Sequence, residues 1–179
     1  MDAFSVLDLP RAPWVDAEVL KERFHRLGAT RHPDAPGGSE AAFSELNTAW
    51  QTLREPASCL RHFLQLTAPE SLAGATATPA ELGDLFMEIA GRKQAAQHFL
   101  TAREKATTPL ARALIEPQKL ALGSQLDSTE VKLNKVIAEV SAGVREENAQ
   151  PDVLAAALSR LTFLANWRHQ FAELKVRLG

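Results

Sequence analysis

The sequence predicts an all-α protein made of two helical units joined by a short linker. Apolar residues recur at spacings of three and four over most of the chain, the pattern of a one-faced helix. Leu, Ala, Glu, Arg and Gln dominate, there is no Tyr, and no run alternates β-branched with polar residues, so no strand is expected. Between these helical stretches, residues 67 to 80 read TAPESLAGATATPA, a small, polar, Pro/Gly-containing segment that marks a boundary. With 179 residues and 45% of them hydrophobic, the chain can give each unit a core.

In the first unit, residues 1 to 67, Leu20, Phe24 and Leu27 form one stripe of a helix that Asp16 is placed to cap, with Val15 positioned to pack on Leu20 as a hydrophobic staple. Gly28 weakens its last turns and Pro33 forbids continuation, so it should end before His32. Ser39 then offers a second cap, Phe43, Leu46, Trp50 and Leu53 recur at three, four and three, and Pro56 stops this helix. The result is a helical hairpin, with Phe4, Val6 and Leu7 before it and Leu60, Phe63, Leu64 and Leu66 after it as short covering pieces. Cys59 is expected to be a core thiol.

After a linker at 68–78, the second unit occupies 79–179. Thr78-Pro79-Ala80-Glu81 reads as cap, N1 proline and capping-box glutamate, which starts a helix at residue 79. Its buried stripe is expected to be Leu82, Leu85, Phe86 and Ile89, continued by Ala96 and Leu100. Pro109 and Pro117 are expected to break the following stretch before Leu126, Leu133, Ile137, Val140 and Val144 resume the period. Pro151 restarts a helix on Leu154, Leu158, Leu161, Leu164, Trp167, Phe171, Leu174 and Leu178. Three such helices make an antiparallel bundle.

Composition narrows the function. A net charge of −2 gives counterion release little to work with, so no nucleic-acid partner is expected. One cysteine forms no internal disulfide and supports no Cys-rich zinc or iron–sulfur site. The opening MDAFSVLDLP lacks a basic region followed by an apolar stretch, and no run of about eighteen apolar residues occurs, which predicts a cytoplasmic chain with no membrane partner.

The chemistry concentrates in LGATRHPDAPGGSEAAF, residues 27 to 43. His32 and Asp34 flank Pro33 at the hairpin tip. As a metal or acid/base pair they lack convergent partners, because a metal needs three or four ligands and only His25 is near in sequence. As a plain turn, Pro33 ends a helix and Asp34 closes a loop. As a recognition tip, a Pro-fixed backbone displays an imidazole and a carboxylate on a rigid stalk. The preceding helix adds Lys21, Arg23, Arg26 and Arg31, which would meet an acidic partner; Asp16, Glu18 and Glu22 on the same stretch make a merely solvated face the competing reading.

A helical hairpin with His32-Pro33-Asp34 in its loop, the lead-in Phe4…Leu7…Leu9-Pro10 and the run LNTAWQTLREP resembles a J domain, by which co-chaperones stimulate ATP hydrolysis in DnaK-type chaperones. More narrowly, FSVLDLP, LFMEIAGRK and LSRLTFLANWRHQFAELKVRL resemble the HscB type, which carries the iron–sulfur scaffold protein to a dedicated HscA-type chaperone. That resemblance implies a J domain over 1–67 and a client-binding three-helix bundle over 79–179. It implies that His32, Pro33 and Asp34, with Lys21, Arg23, Arg26 and Arg31, engage the chaperone. By the same resemblance Phe86, Met87, Glu88, Ala90 and Phe163 receive an IscU-like scaffold.

Independently of the resemblance, Met87 lies about 140° from Leu82 and Phe163 about 200° from Leu161 on an ideal wheel, which puts both outside their core stripes. The chain departs from the family at Arg31, where an aromatic residue is common, at Ala35, and at Ala90-Gly91-Arg92-Lys93, where acidic residues and leucine usually follow the Met-Glu pair. The expectation is a co-chaperone with no active site, no cofactor and no zinc. A J-domain protein or adaptor for a different client is the alternative, and an enzyme using His32 and Asp34 is the third reading.

Overall fold

The structure, a computed structural model, describes residues 1–74, 80–145 and 150–179. Among these residues the regular elements are all helical: α1 (Ala3–Val6), α2 (Ala17–Arg31), α3 (Glu40–Arg54), α4 (Pro56–Thr67), α5 (Gly83–Lys105), α6 (Pro109–Val144) and α7 (Pro151–Leu178), with 3-10 turns at Pro69–Gly74 and Ala80–Leu82. The chain divides into two compact units, Met1–Ala77 with Val140–Leu161, and Thr78–Glu139 with Thr162–Gly179.

In the first unit the caps lie where the side-chain chemistry places them. The Asp16 carboxylate accepts from the backbone N–H of Glu18 and of Val19, and the Ser39 hydroxyl accepts from that of Ala42, so each helix of the hairpin starts with orphan donors satisfied. Pro56 sits in the first turn of α4, where its missing N–H costs nothing. The core gathers Ala3, Phe4, Leu7, Leu20, Leu46, Ala49, Leu53 and Cys59, with Phe24, Leu27, Phe43 and Trp50 packed on it. His62 of α4 joins α1 to this core: its Nε2 accepts the N–H of Ala3 at 3.0 Å and its ring stacks on Phe4 at 5.5 Å.

Residues 140–161 show apolar period to be blind to partner. Their helical stripe places them in the bundle, yet Val140–Leu161 packs with the first unit. Val144, Leu154 and Leu158 are buried there, and the Arg145 guanidinium stands 3.9 Å over the Trp14 ring, a cation–π contact.

In the second unit α5 and α7 run parallel and α6 runs against both. Phe86 meets Trp167, Lys93 reaches Gln170 and Arg103 reaches the Leu178 carbonyl, a rising order along α5 and α7. Glu88 pairs with Lys132 and Arg92 with Gln125, the reverse order along α6. Of the α5 stripe, Leu82, Ile89, Ala96 and Leu100 are buried, whereas Phe86 is 52% exposed and so leaves the core to which its spacing assigned it. Every residue of the expected α7 stripe, from Leu154 to Leu178, is buried. The expected start of α5 at Thr78-Pro79 lies outside the described residues.

Pro117 does not break the chain: α6 runs through it from Pro109 to Val144. Its side chain is exposed, so the carbonyl it leaves without a donor is on the wet side of the helix, where water can satisfy it. Burial of Leu122, Leu126 and Leu133 just downstream offsets a local penalty of about 3 kcal/mol.

Candidate functional site

The first candidate site is the turn between α2 and α3. His32 is the extended residue that ends α2 (φ −58°, ψ 142°), the conformation a following proline imposes. Its carbonyl accepts from the N–H of Ala35 at 2.9 Å, the Ala35 carbonyl from that of Gly38, and the Arg31 carbonyl from that of Ser39, so the loop is closed by three backbone bonds. Gly37 takes φ +84°, in the left-handed region, and Gly38 runs so close to the His32 carbonyl that no Cβ fits. The two glycines are thus the condition for bringing α3 back beneath the triplet.

On this frame the imidazole and carboxylate are presented differently. The His32 ring lies edge-on to Phe43, 5.0 Å between centroids, and remains about half exposed. The Asp34 side chain stands almost wholly in solvent. His32 Nδ1 is 3.3 Å from the Asp34 amide and 3.4 Å from its carboxylate. One nitrogen serves one of these at a time: the neutral ring accepts the amide, and the protonated ring meets the carboxylate.

The four cations expected to flank the tip divide. Lys21 is exposed and Arg23 half-buried on α2. Arg26 stands 3.7 Å from Asp8, an exposed pair of little energetic weight. Arg31 is engaged within the chain: its Nη1 donates to the Val6 carbonyl at 3.0 Å, which ties the last residue of α2 to the end of α1. It holds the tip from behind.

The second candidate site is on the bundle. Met87 is 69% exposed, Ala90 is exposed one turn on, and Phe86 projects beside them. Phe86 and Phe163, on different helices, come together through Trp167, whose ring lies 6.0 Å from the first and 6.2 Å from the second. Sequence reasoning placed Trp167 only in the core; its i+4 spacing from Phe163 was the available signal of this shared aromatic row.

Glu88, expected in the same patch, is engaged within the bundle. Its carboxylate turns to α6, accepting from Lys132 Nζ at 2.9 Å and from the Thr129 hydroxyl at 2.8 Å. The Lys132 ammonium and the Thr129 hydroxyl hold its carboxyl below the ordinary glutamate value. Glu88 therefore fixes α5 against α6. No group of three or more His, Cys, Asp or Glu side chains arranged to hold a metal occurs among the described residues. Nor is any helix among them long and apolar enough to cross a membrane.

The chain is similar to chaperone protein DnaJ of Nostoc punctiforme, 34% identical over 86 residues, which is 47% of this chain and 22% of that relative. It therefore spans about a fifth of the length of the relative it matches. That similarity supports the J-domain resemblance in general and does not reach the HscB type. No family model and no solved structure matches the chain.

Proposed function

We propose that this chain is a J-domain co-chaperone that acts by binding, without an active site of its own, on a DnaK-type chaperone in the cytoplasm. The carrying observation is the tip itself. His32-Pro33-Asp34 is held by three backbone bonds, with Gly37 at positive φ and Gly38 close-packed on the His32 carbonyl, its carboxylate exposed to solvent and its imidazole braced on Phe43. Similarity to a DnaJ supports the same reading. The exposed Lys21 and the half-buried Arg23, further back along α2, supply positive charge on the helix that carries the tip for an acidic surface on the chaperone.

The finer proposal is that Phe86, Met87, Ala90 and Phe163 receive an iron–sulfur scaffold protein of the IscU kind and deliver it to an HscA-type chaperone. An exposed methionine beside an aromatic row suits a protein anchor. If scaffold and tip favour the same chaperone state, each strengthens the effect of the other. Ala90-Gly91-Arg92-Lys93, which departs from the HscB pattern, favours a second reading in which the patch takes a different client.

Single-turnover ATP hydrolysis by the DnaK-type chaperones, with the wild-type chain and with His32→Gln, each with and without scaffold, tests both levels. Stimulation lost in the variant supports the co-chaperone function, and a further rise with scaffold supports the client. No stimulation of any chaperone overturns the proposal; stimulation indifferent to scaffold leaves the second reading.

A further inference from the structure

α1 is tied at both ends by side chains from elsewhere in the first unit. At its start the Ala3 N–H donates to Nε2 of His62 on α4 at 3.0 Å, and at its end the Val6 carbonyl accepts from Arg31 at 3.0 Å. Four residues do not sustain a helix unaided, since nucleation fixes several residues for one hydrogen bond, so α1 depends on what holds it. The His62 side chain is 12% exposed and its ring stacks on the fully buried Phe4. Only the neutral ring accepts the Ala3 N–H, because an imidazolium carries a proton on both nitrogens and would set donor against donor. The Asp2 carboxylate, 3.9 Å from the same nitrogen, is the acceptor to which a charged ring turns. That carboxylate already caps α1 through the Phe4 and Ser5 N–H groups, accepts the Ser5 hydroxyl and pairs with Arg11. Asp2 is the charged group placed against the ring, and Arg11 acts on it through Asp2. Arg61 on α4 and Glu40 and Glu45 on α3 are exposed, and Arg54 pairs with Glu55 at the α3–α4 turn.

We propose that His62 is a positioning residue for the His32-Pro33-Asp34 tip and acts through α1. Its neutral ring seats the start of α1, the end of α1 seats Arg31, and Arg31 is the last residue of α2 before the tip. Protonation of His62 moves the ring from the Ala3 N–H to the Asp2 carboxylate. The first turn of α1 then loses its anchor, and the Val6 carbonyl that Arg31 uses shifts with it, because four residues of helix move as one piece. The tip loosens while the apolar core around Leu20, Leu46 and Leu53 stays packed. The contacts in this chain of support involve no partner, so only their effect on ATP hydrolysis rests on the chaperone reading.

Heteronuclear NMR of the full chain from about pH 8 to about pH 5.5, the range in which imidazoles as a class change charge, tests the proposal without a variant. The Ala3 amide and the Arg31 Nε–H should shift in one step with the His62 ring carbons, while helical circular dichroism stays constant. In His62→Gln, whose side-chain oxygen accepts at every pH, both steps should vanish although the other histidines remain. An Ala3 amide that stays put across the range overturns the proposal, as does a step at Ala3 that Arg31 does not share. Chaperone stimulation gives the second readout. Stimulation by the wild type relative to His62→Gln should fall by about two- to tenfold over the same range, the weight of one hydrogen bond. A constant ratio overturns the link to the tip. No stimulation by either chain at any pH overturns the co-chaperone reading instead, and the Ala3 and Arg31 titrations still decide this one.

Discussion

Gly38 passes so close to the carbonyl of His32 that a side chain of any size would overlap it. The atoms in the way are backbone, flanked by the Ala35–His32 and Ser39–Arg31 bonds, and they cannot swing aside. Gly38→Ala should therefore force the tip open, lowering stability by roughly 1–3 kcal/mol and reducing chaperone stimulation, while α2 and α3 keep their helical circular dichroism. Urea denaturation read beside the ATPase assay checks this, and unchanged stability would mean the loop relaxes by a route the geometry does not show.

Arg31 and Lys21 should behave as opposites. Arg31→Met removes the bond to the Val6 carbonyl, so its cost of about 1–2 kcal/mol appears in denaturant unfolding before any partner is added. Lys21→Ala, on an exposed side chain, should leave the midpoint within about 0.5 kcal/mol of wild type and act only on chaperone affinity, with an effect that shrinks as salt rises.

For Glu88 the sign follows from its depressed pKa. Because Lys132 and Thr129 stabilise the charged form in the folded state, the stability they lend is present above the ordinary value of 4.5 and is lost as pH falls through the lower folded value. Glu88→Gln should flatten the acid limb of the stability curve below about pH 4.5 and cost on the order of 1 kcal/mol at neutral pH.

Lys175 works in the other direction. Asp127 and Glu130 raise its pKa above 10.5, so its contribution is complete below that value and disappears as pH climbs through the raised one. Lys175→Met should remove this alkaline loss from thermal unfolding curves collected above about pH 10.

Burial pushes the Cys59 thiol up to about 12. At pH 8 almost none of it is thiolate, and its atoms are out of reach, so a thiol reagent should label the native chain only as fast as the first unit opens. Labelling that is quick in urea and slow in buffer is the expected pattern.

Much of the fold was readable from residue order because it rests on local rules. Asp16 and Ser39 cap the hairpin helices, Pro56 and Pro109 sit in first turns where they do no harm, and the α7 stripe is buried from end to end. Each of these depends on a window of a few residues and on period alone. Pro117 was misread by the same rules, because a helix tolerates proline where the freed carbonyl is wet, and exposure is not a property of the window.

The candidate sites divide along the same line. His32, Pro33 and Asp34 stand at a loop because the chain has proline and glycines there, and Met87 falls off its core stripe by spacing, so residue order alone determined that these side chains are displayed. Only tertiary structure decided that Arg31 turns inward to Val6, that Glu88 is taken by Lys132 and Thr129, that Trp167 joins Phe86 to Phe163, and that 140–161 packs with the first unit. A helix's sequence specifies which of its faces is apolar or charged. What that face meets depends on chain brought up from 25 residues away, as for Arg31 and Val6, to 131, as for Arg145 and Trp14, and no local pattern encodes that distance.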